Sequence, residues 1–142
     1  MARLFFATLI LFCTCATAVL AQSSPAARVD GPQFKFAKGD THDFGKVAKG
    51  PVAEYTFEFT NTGTQPLIVM DVTPSCSCTK VEWDKQPISP GQKGHITLGV
   101  KTSELTGVFN KGVYIRSNAI VPNGEKRYTL YLKGEAVENK AN

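Results

Sequence analysis

A two-residue hydrophobic period, interrupted at short intervals by turn-forming residues, constrains this chain more than any other feature. In VAEYTFEFTN (residues 52–61), Tyr55, Phe57 and Phe59 alternate with Glu54, Thr56, Glu58 and Thr60. Such alternation makes one apolar and one polar face, as a half-buried antiparallel strand requires. The period recurs along the chain. LIVMDV (67–72) is a short buried strand carrying Leu67 and Val69, and GHITLGVK (94–101) places Ile96, Leu98 and Val100 on one face. GVFNKGVYIRSN (107–118) aligns Phe109 with Val113 and Ile115, while KRYTLYLKGEAV (126–137) turns Tyr128, Leu130 and Leu132 inward. Phe44 and Trp83, the latter two residues beyond Val81, join the same expected core. Asn, Gly and Pro fill the gaps in NTGTQP (61–66), SPGQKG (89–94) and PNGE (122–125), where they supply the dihedrals that sharp turns need. No segment has a helical period. Six to eight short strands at this spacing predict an all-β, antiparallel, immunoglobulin-like sandwich, with a small closed barrel as the rival architecture.

The N-terminus reads separately. Arg3 is followed by an apolar run from Leu4 to about Ala18, and Val19 and Ala21 sit where a signal peptidase reads small residues. The run is shorter than the roughly 20 apolar residues of a membrane span. We expect a signal peptide over residues 1–21, a polar leader over 22–32, one domain over 33–137 and a short tail over 138–142. The mature protein would then be exported, to the periplasm or the medium, without a membrane span. Its formal charge of +4 is small for the whole chain of 142 residues, and Lys and Glu are interspersed. That balance favours solubility and gives no nucleic-acid footprint.

Cleavage would remove Cys13 and Cys15 and leave only Cys76 and Cys78, in PSCSCTK (74–80). On a flat strand the Cβ atoms of residues i and i+2 lie about 6.6 Å apart. A disulfide needs about 3.5 to 4.5 Å, so a bridge here demands a bent backbone, for which Pro74 and Ser75 are suited. So small a ring would remove little chain entropy. Three readings stay open: buried thiols that fill space, a labile disulfide exchanging with a redox partner, or a soft-metal site for copper(I) or zinc. His42, His95 and Met70 are the further metal-ligand candidates. The loops expected to carry binding are 61–66, 73–80 and 119–125, with Asn61, Thr62, Gly63, Ser75, Ser77, Thr79 and Lys80 as candidate contacts. No GxSxG, HExxH or phosphate-loop motif is present.

The ordered set HDFGKVAKG (42–50), FEFTNTGTQPLIVMDVTPSCSCT (57–79), Trp83, PISPGQKGHI (87–96) and GVFNKGVYIRSN (107–118) resembles a family of exported bacterial domains of unknown function. That family carries an SCGCT motif, and Ser77 stands where the motif has glycine. The opening is also similar to the wider group of sandwich domains related to major sperm protein and the ciliary adaptors. The resemblance implies export and an immunoglobulin-like sandwich, and it brings no activity with it. The function expected is a non-enzymatic binding or structural module with a protein or cell-envelope partner and no cofactor. Thiol–disulfide exchange or copper or zinc handling through Cys76 and Cys78 is the alternative.

Overall fold

A computed structural model describes residues 30–138. The expected signal peptide, most of the leader and most of the tail lie outside the described residues. Among the described residues eight strands form: β1 (Phe34–Phe36), β2 (Thr41–Ala48), β3 (Val52–Asn61), β4 (Val69–Pro74), β5 (Thr79–Trp83), β6 (Lys93–Lys101), β7 (Gly107–Ser117) and β8 (Tyr128–Val137). Two short 3-10 turns, Thr102–Glu104 and Pro122–Gly124, are the only helical segments among the described residues. None of the described helical segments is long or apolar enough to cross a membrane.

The strands make two four-stranded sheets, ordered β1-β3-β6-β5 and β2-β8-β7-β4. Apolar residues of each alternating strand meet between them. Phe57, Phe59, Ile96, Leu98, Val100, Val113, Ile115, Leu130 and Leu132 are buried there with Leu67 and Val69. Phe34, Val72, Ile88, Leu105, Phe109 and Ala136 complete the interior. Phe44, Tyr55 and Trp83, expected in this core, are not fully buried in it. Each is half-buried and packs against the core from its margin, because each lies at a flank or strand end of the sandwich.

Every ladder is antiparallel except β2 with β8, which is parallel. The chain steps from the edge of one sheet at β1 to the edge of the other at β2, without the reversal that a hairpin imposes. Gly39, at φ +78, lies in the connecting turn. Parallel partnership with β8 follows from that step, and no local alternation could report it. At the opposite flank, residues 75–78 carry the chain from the edge strand β4 to the edge strand β5 of the other sheet. The PNGE segment is not a minimal hairpin turn; it folds as the 3-10 turn between β7 and β8, with Gly124 at φ +70.

Candidate functional site

The inter-sheet turn at 75–78 links the two sheets on the β4–β5 flank, and it contains both cysteines. The Ser75 N–H donates to the Gly112 carbonyl at 2.9 Å, the Thr79 N–H to the Cys76 carbonyl at 3.3 Å, and the Lys101 N–H to the Cys78 carbonyl at 2.8 Å. The turn is thus tied to β7 on one side and to β6 on the other. Within it Cys76 and Cys78 close into a disulfide with Cα atoms 5.3 Å apart. The bend that a bridge between such near neighbours requires is supplied by the passage from sheet to sheet.

The two sulfurs differ in their surroundings. Cys78 is 6% exposed, whereas Cys76 is half-buried at the margin of the core. The Thr79 hydroxyl lies 3.6 Å from the Cys76 sulfur and 3.9 Å from that of Cys78. Thr79 itself is buried, while Ser75, Ser77 and Lys80 are exposed around the turn. Further along β5, the Trp83 indole N–H donates to the Val69 carbonyl at 3.3 Å and pins β5 to β4 across the two sheets. The Lys85 ammonium covers the outer face of that ring, 2.8 Å from its centroid. Met70 is 51% exposed on β4.

The two histidines lie on different sheets. His42, on β2, stacks on Tyr55 of β3 with ring centroids 3.5 Å apart and planes 6° from parallel. Burial holds its pKa below the ordinary 6.5; Asp43 pulls the other way and Lys38 adds to the lowering. His95, on β6, has Nδ1 3.3 Å from an Asp84 carboxylate oxygen and Nε2 3.9 Å from one of Glu58. Lys93, 2.8 Å from Glu58, holds that carboxylate below its usual range through a hydrogen bond and its charge. No three His, Cys, Asp or Glu side chains gather as a metal cluster among the described residues. The structure does not bring the four cysteine and histidine candidate ligands together: the cysteines pair with each other, His42 stacks on Tyr55, and His95 lies against Asp84.

Two of the candidate contacts in the 61–66 loop lie in the interior. Asn61 is fully buried, and its side chain holds the loop together. Its amide donates to the carbonyls of Gln65 at 2.7 Å and Ile88 at 2.9 Å, and its oxygen accepts from the N–H groups of Gln33 and Gly63 at 3.2 and 3.1 Å. Gly63 is buried against the Gly31–Gln33 backbone, where any side chain would collide. Neither residue is free to touch a partner; only Thr62 of that trio faces solvent.

A feature not visible in the sequence is the uneven length of β4 and β7. Ladder pairing between them ends at Pro74 opposite Val113, and the Ser75–Gly112 bond is the last tie. β7 continues to Gly107, paired with β8 on one side alone. Strand alternation turns the N–H and C=O of Val108 and Asn110 toward the side that β4 leaves open. Val108 is 83% exposed there. Beside it a cleft of about 520 Å³ crosses the outer face of the sheet, walled by Asp43, Lys46, Asn110, Lys133 and Glu135.

The fold and its bridged inter-sheet turn define an open, eight-stranded immunoglobulin-like sandwich module. The chain belongs to the family described as "Protein of unknown function (DUF1573)", whose model matches residues 34–136. No curated protein matches the sequence. Among solved structures, a protein of unknown function from Porphyromonas gingivalis W83 is similar with a TM-score of 0.61 at 18% identity, over 81% of this chain and 51% of that one. The ASH/PapD-like domain 7 of human CEP192 is similar at 0.58 and 11% identity, over 87% of this chain and 98% of the domain. The VesB protease of Vibrio cholerae contains a similar region, at 0.56 and 15% identity, over 72% of this chain and 32% of the protease. These likenesses establish the fold alone. The chain spans about half of the Porphyromonas protein and about a third of the protease.

Proposed function

We propose that this protein is an exported, non-enzymatic sandwich module that holds a protein partner by adding one of the partner's extended segments to the open edge of β7. The observation that carries the reading is a contrast between edges. β1 has three residues, β5 presents Lys80 and Glu82, β2 is interrupted at Asp43/Lys46 around Gly45, and β4 stops at a proline. Shortness, charge, bulges and proline are the devices by which sheet edges are kept from pairing. The Gly107–Lys111 stretch of β7 carries an exposed valine and backbone groups turned outward, and its edge ends in neither a bulge nor a proline. An extended peptide would satisfy those groups, and the mixed charges along the adjacent cleft would read its side chains. The signal-like N-terminus supports export.

The test is a photo-crosslinking residue placed at Val108 in the producing cell, with the same probe at Tyr131 as the control. A partner protein should crosslink from position 108, and Asn110→Pro should abolish it. Proline there removes an N–H that faces the open side, so no ladder hydrogen bond is lost and the domain should still fold. Equal crosslinking from both positions, or an unchanged adduct in the folded Asn110→Pro variant, would overturn the edge assignment. The mass of the mature chain from the same cells checks cleavage after Ala21.

A further inference from the structure

We propose that the Cys76–Cys78 bridge is a reversible redox site that exchanges with a protein dithiol, Cys76 being the sulfur attacked and Cys78 the sulfur that leaves. This inference does not depend on strand addition at β7.

Three observations converge on it. The bridge spans a sequence separation of 2, so it closes a very small loop and withdraws little entropy from the unfolded chain. The turn does not need it: backbone bonds from Ser75 to Gly112 and from Lys101 to Cys78 hold the segment between the two sheets. Opening the bridge would therefore leave both thiols in place, ready to reclose. Finally, the sulfurs are unequal in access. The half-buried Cys76 lies beside exposed Ser75 and Ser77, whereas Cys78 is buried, and one hydroxyl, that of Thr79, lies within 4 Å of both sulfurs.

The exchange balances as two displacements. A thiolate of the partner attacks the Cys76 sulfur; a mixed disulfide forms and Cys78 departs as a thiolate, with the Thr79 hydroxyl placed to donate to it. The partner's second thiolate then attacks its own sulfur in the mixed disulfide and releases Cys76. The bridge has gained two electrons and two protons, and the partner dithiol has become a disulfide. Run in reverse, the same steps reduce a partner disulfide to its dithiol and re-form the bridge whenever the partner is the stronger oxidant.

The experiment titrates the purified folded protein with dithiothreitol. Thiols are alkylated differentially and read on the peptide that carries both cysteines, while tryptophan fluorescence reports the fold. Opening of the bridge with unchanged fluorescence, and reclosure when the reductant is removed, is the result expected. Reduction only at concentrations or temperatures that also unfold the chain would make the bridge a structural staple and end the proposal. The order of attack is tested with an aryl disulfide: Cys76 in Cys78→Ser should react roughly tenfold faster than Cys78 in Cys76→Ser, because thiol reactivity follows access and local charge. Equal rates would overturn the assignment of the two sulfurs. Thr79→Val should slow reduction several-fold and Thr79→Ser should restore it; a rate untouched by Thr79→Val removes the hydroxyl from the scheme. Should the single-cysteine variants fail to fold, the titration of the natural protein decides the redox claim by itself.

Discussion

At the residue scale, Asn61 shows how a polar side chain can be the centre of a loop. Both amide hydrogens and the carbonyl oxygen are spent on the backbone of three segments, around Gln33, Gly63–Gln65 and Ile88. Buried polar groups left without partners carry their full desolvation penalty, whereas a satisfied hydrogen bond contributes only about 1 kcal/mol net. Asn61→Ala would orphan the Gln65 carbonyl and the N–H groups of Gln33 and Gly63 at once, while the Ile88 carbonyl keeps the Leu67 N–H. We predict a loss of about 2 to 4 kcal/mol in urea-unfolding experiments, well above the effect of Thr62→Ala on the exposed side of the same loop. A loss below about 1 kcal/mol would mean that water replaces the side chain without penalty.

At the scale of elements, the close approach of strands depends on missing side chains. Gly134 of β8 faces Phe109 of β7, whose ring occupies the space a side chain would take: a Cβ at 134 would lie 2.7 Å from Phe109 Cζ and 3.0 Å from the Gly45 carbonyl oxygen. Gly45 sits at φ +64 at the irregularity in β2. One contact could yield by moving a ring in the core; the other is backbone and cannot. Gly134→Ala should therefore destabilise by about 1 to 3 kcal/mol, the usual range for overpacking. A shift of the Phe109 ring signals in the variant's NMR spectrum would locate the strain. A neutral substitution would show that β2 and β8 can part locally without loss.

For the whole molecule, the two sheets are joined at their flanks by different chemistry: the bridged turn and Trp83 on one side, the His42–Tyr55 stack on the other. The second contact ties stability to pH. Burial lowers the His42 pKa in the folded state, outweighing the raising effect of Asp43, so the unfolded chain takes up this proton more readily. The contribution is fully present above the ordinary value of 6.5 and is lost as pH falls through 6.5 toward the lower folded-state value. Melting temperatures should therefore decline between about pH 7 and pH 5, and His42→Phe, which keeps a ring on Tyr55 but cannot bind the proton, should flatten that decline. An identical slope in the variant would assign the pH dependence to other groups.

The strands, their inward faces and the sandwich class were determined by the sequence itself, because a period of two is a local property: Phe57 and Phe59, or Leu130 and Leu132, declare their shared face without knowledge of any partner. The need for a bend at Cys76 and Cys78 was equally local, since it follows from the reach of a disulfide. The role of Asn61 was hidden in a run of turn residues, where an asparagine before Thr-Gly is as compatible with an exposed tip as with a buried clasp. The marginal places of Tyr55 and Trp83, the parallel pairing of β2 with β8, the bonds that hold the bridged turn and the unmatched length of β7 beyond β4 were decided only by tertiary structure. Each depends on where a distant strand begins or stops, and alternation along one strand carries no information about the length of its neighbour.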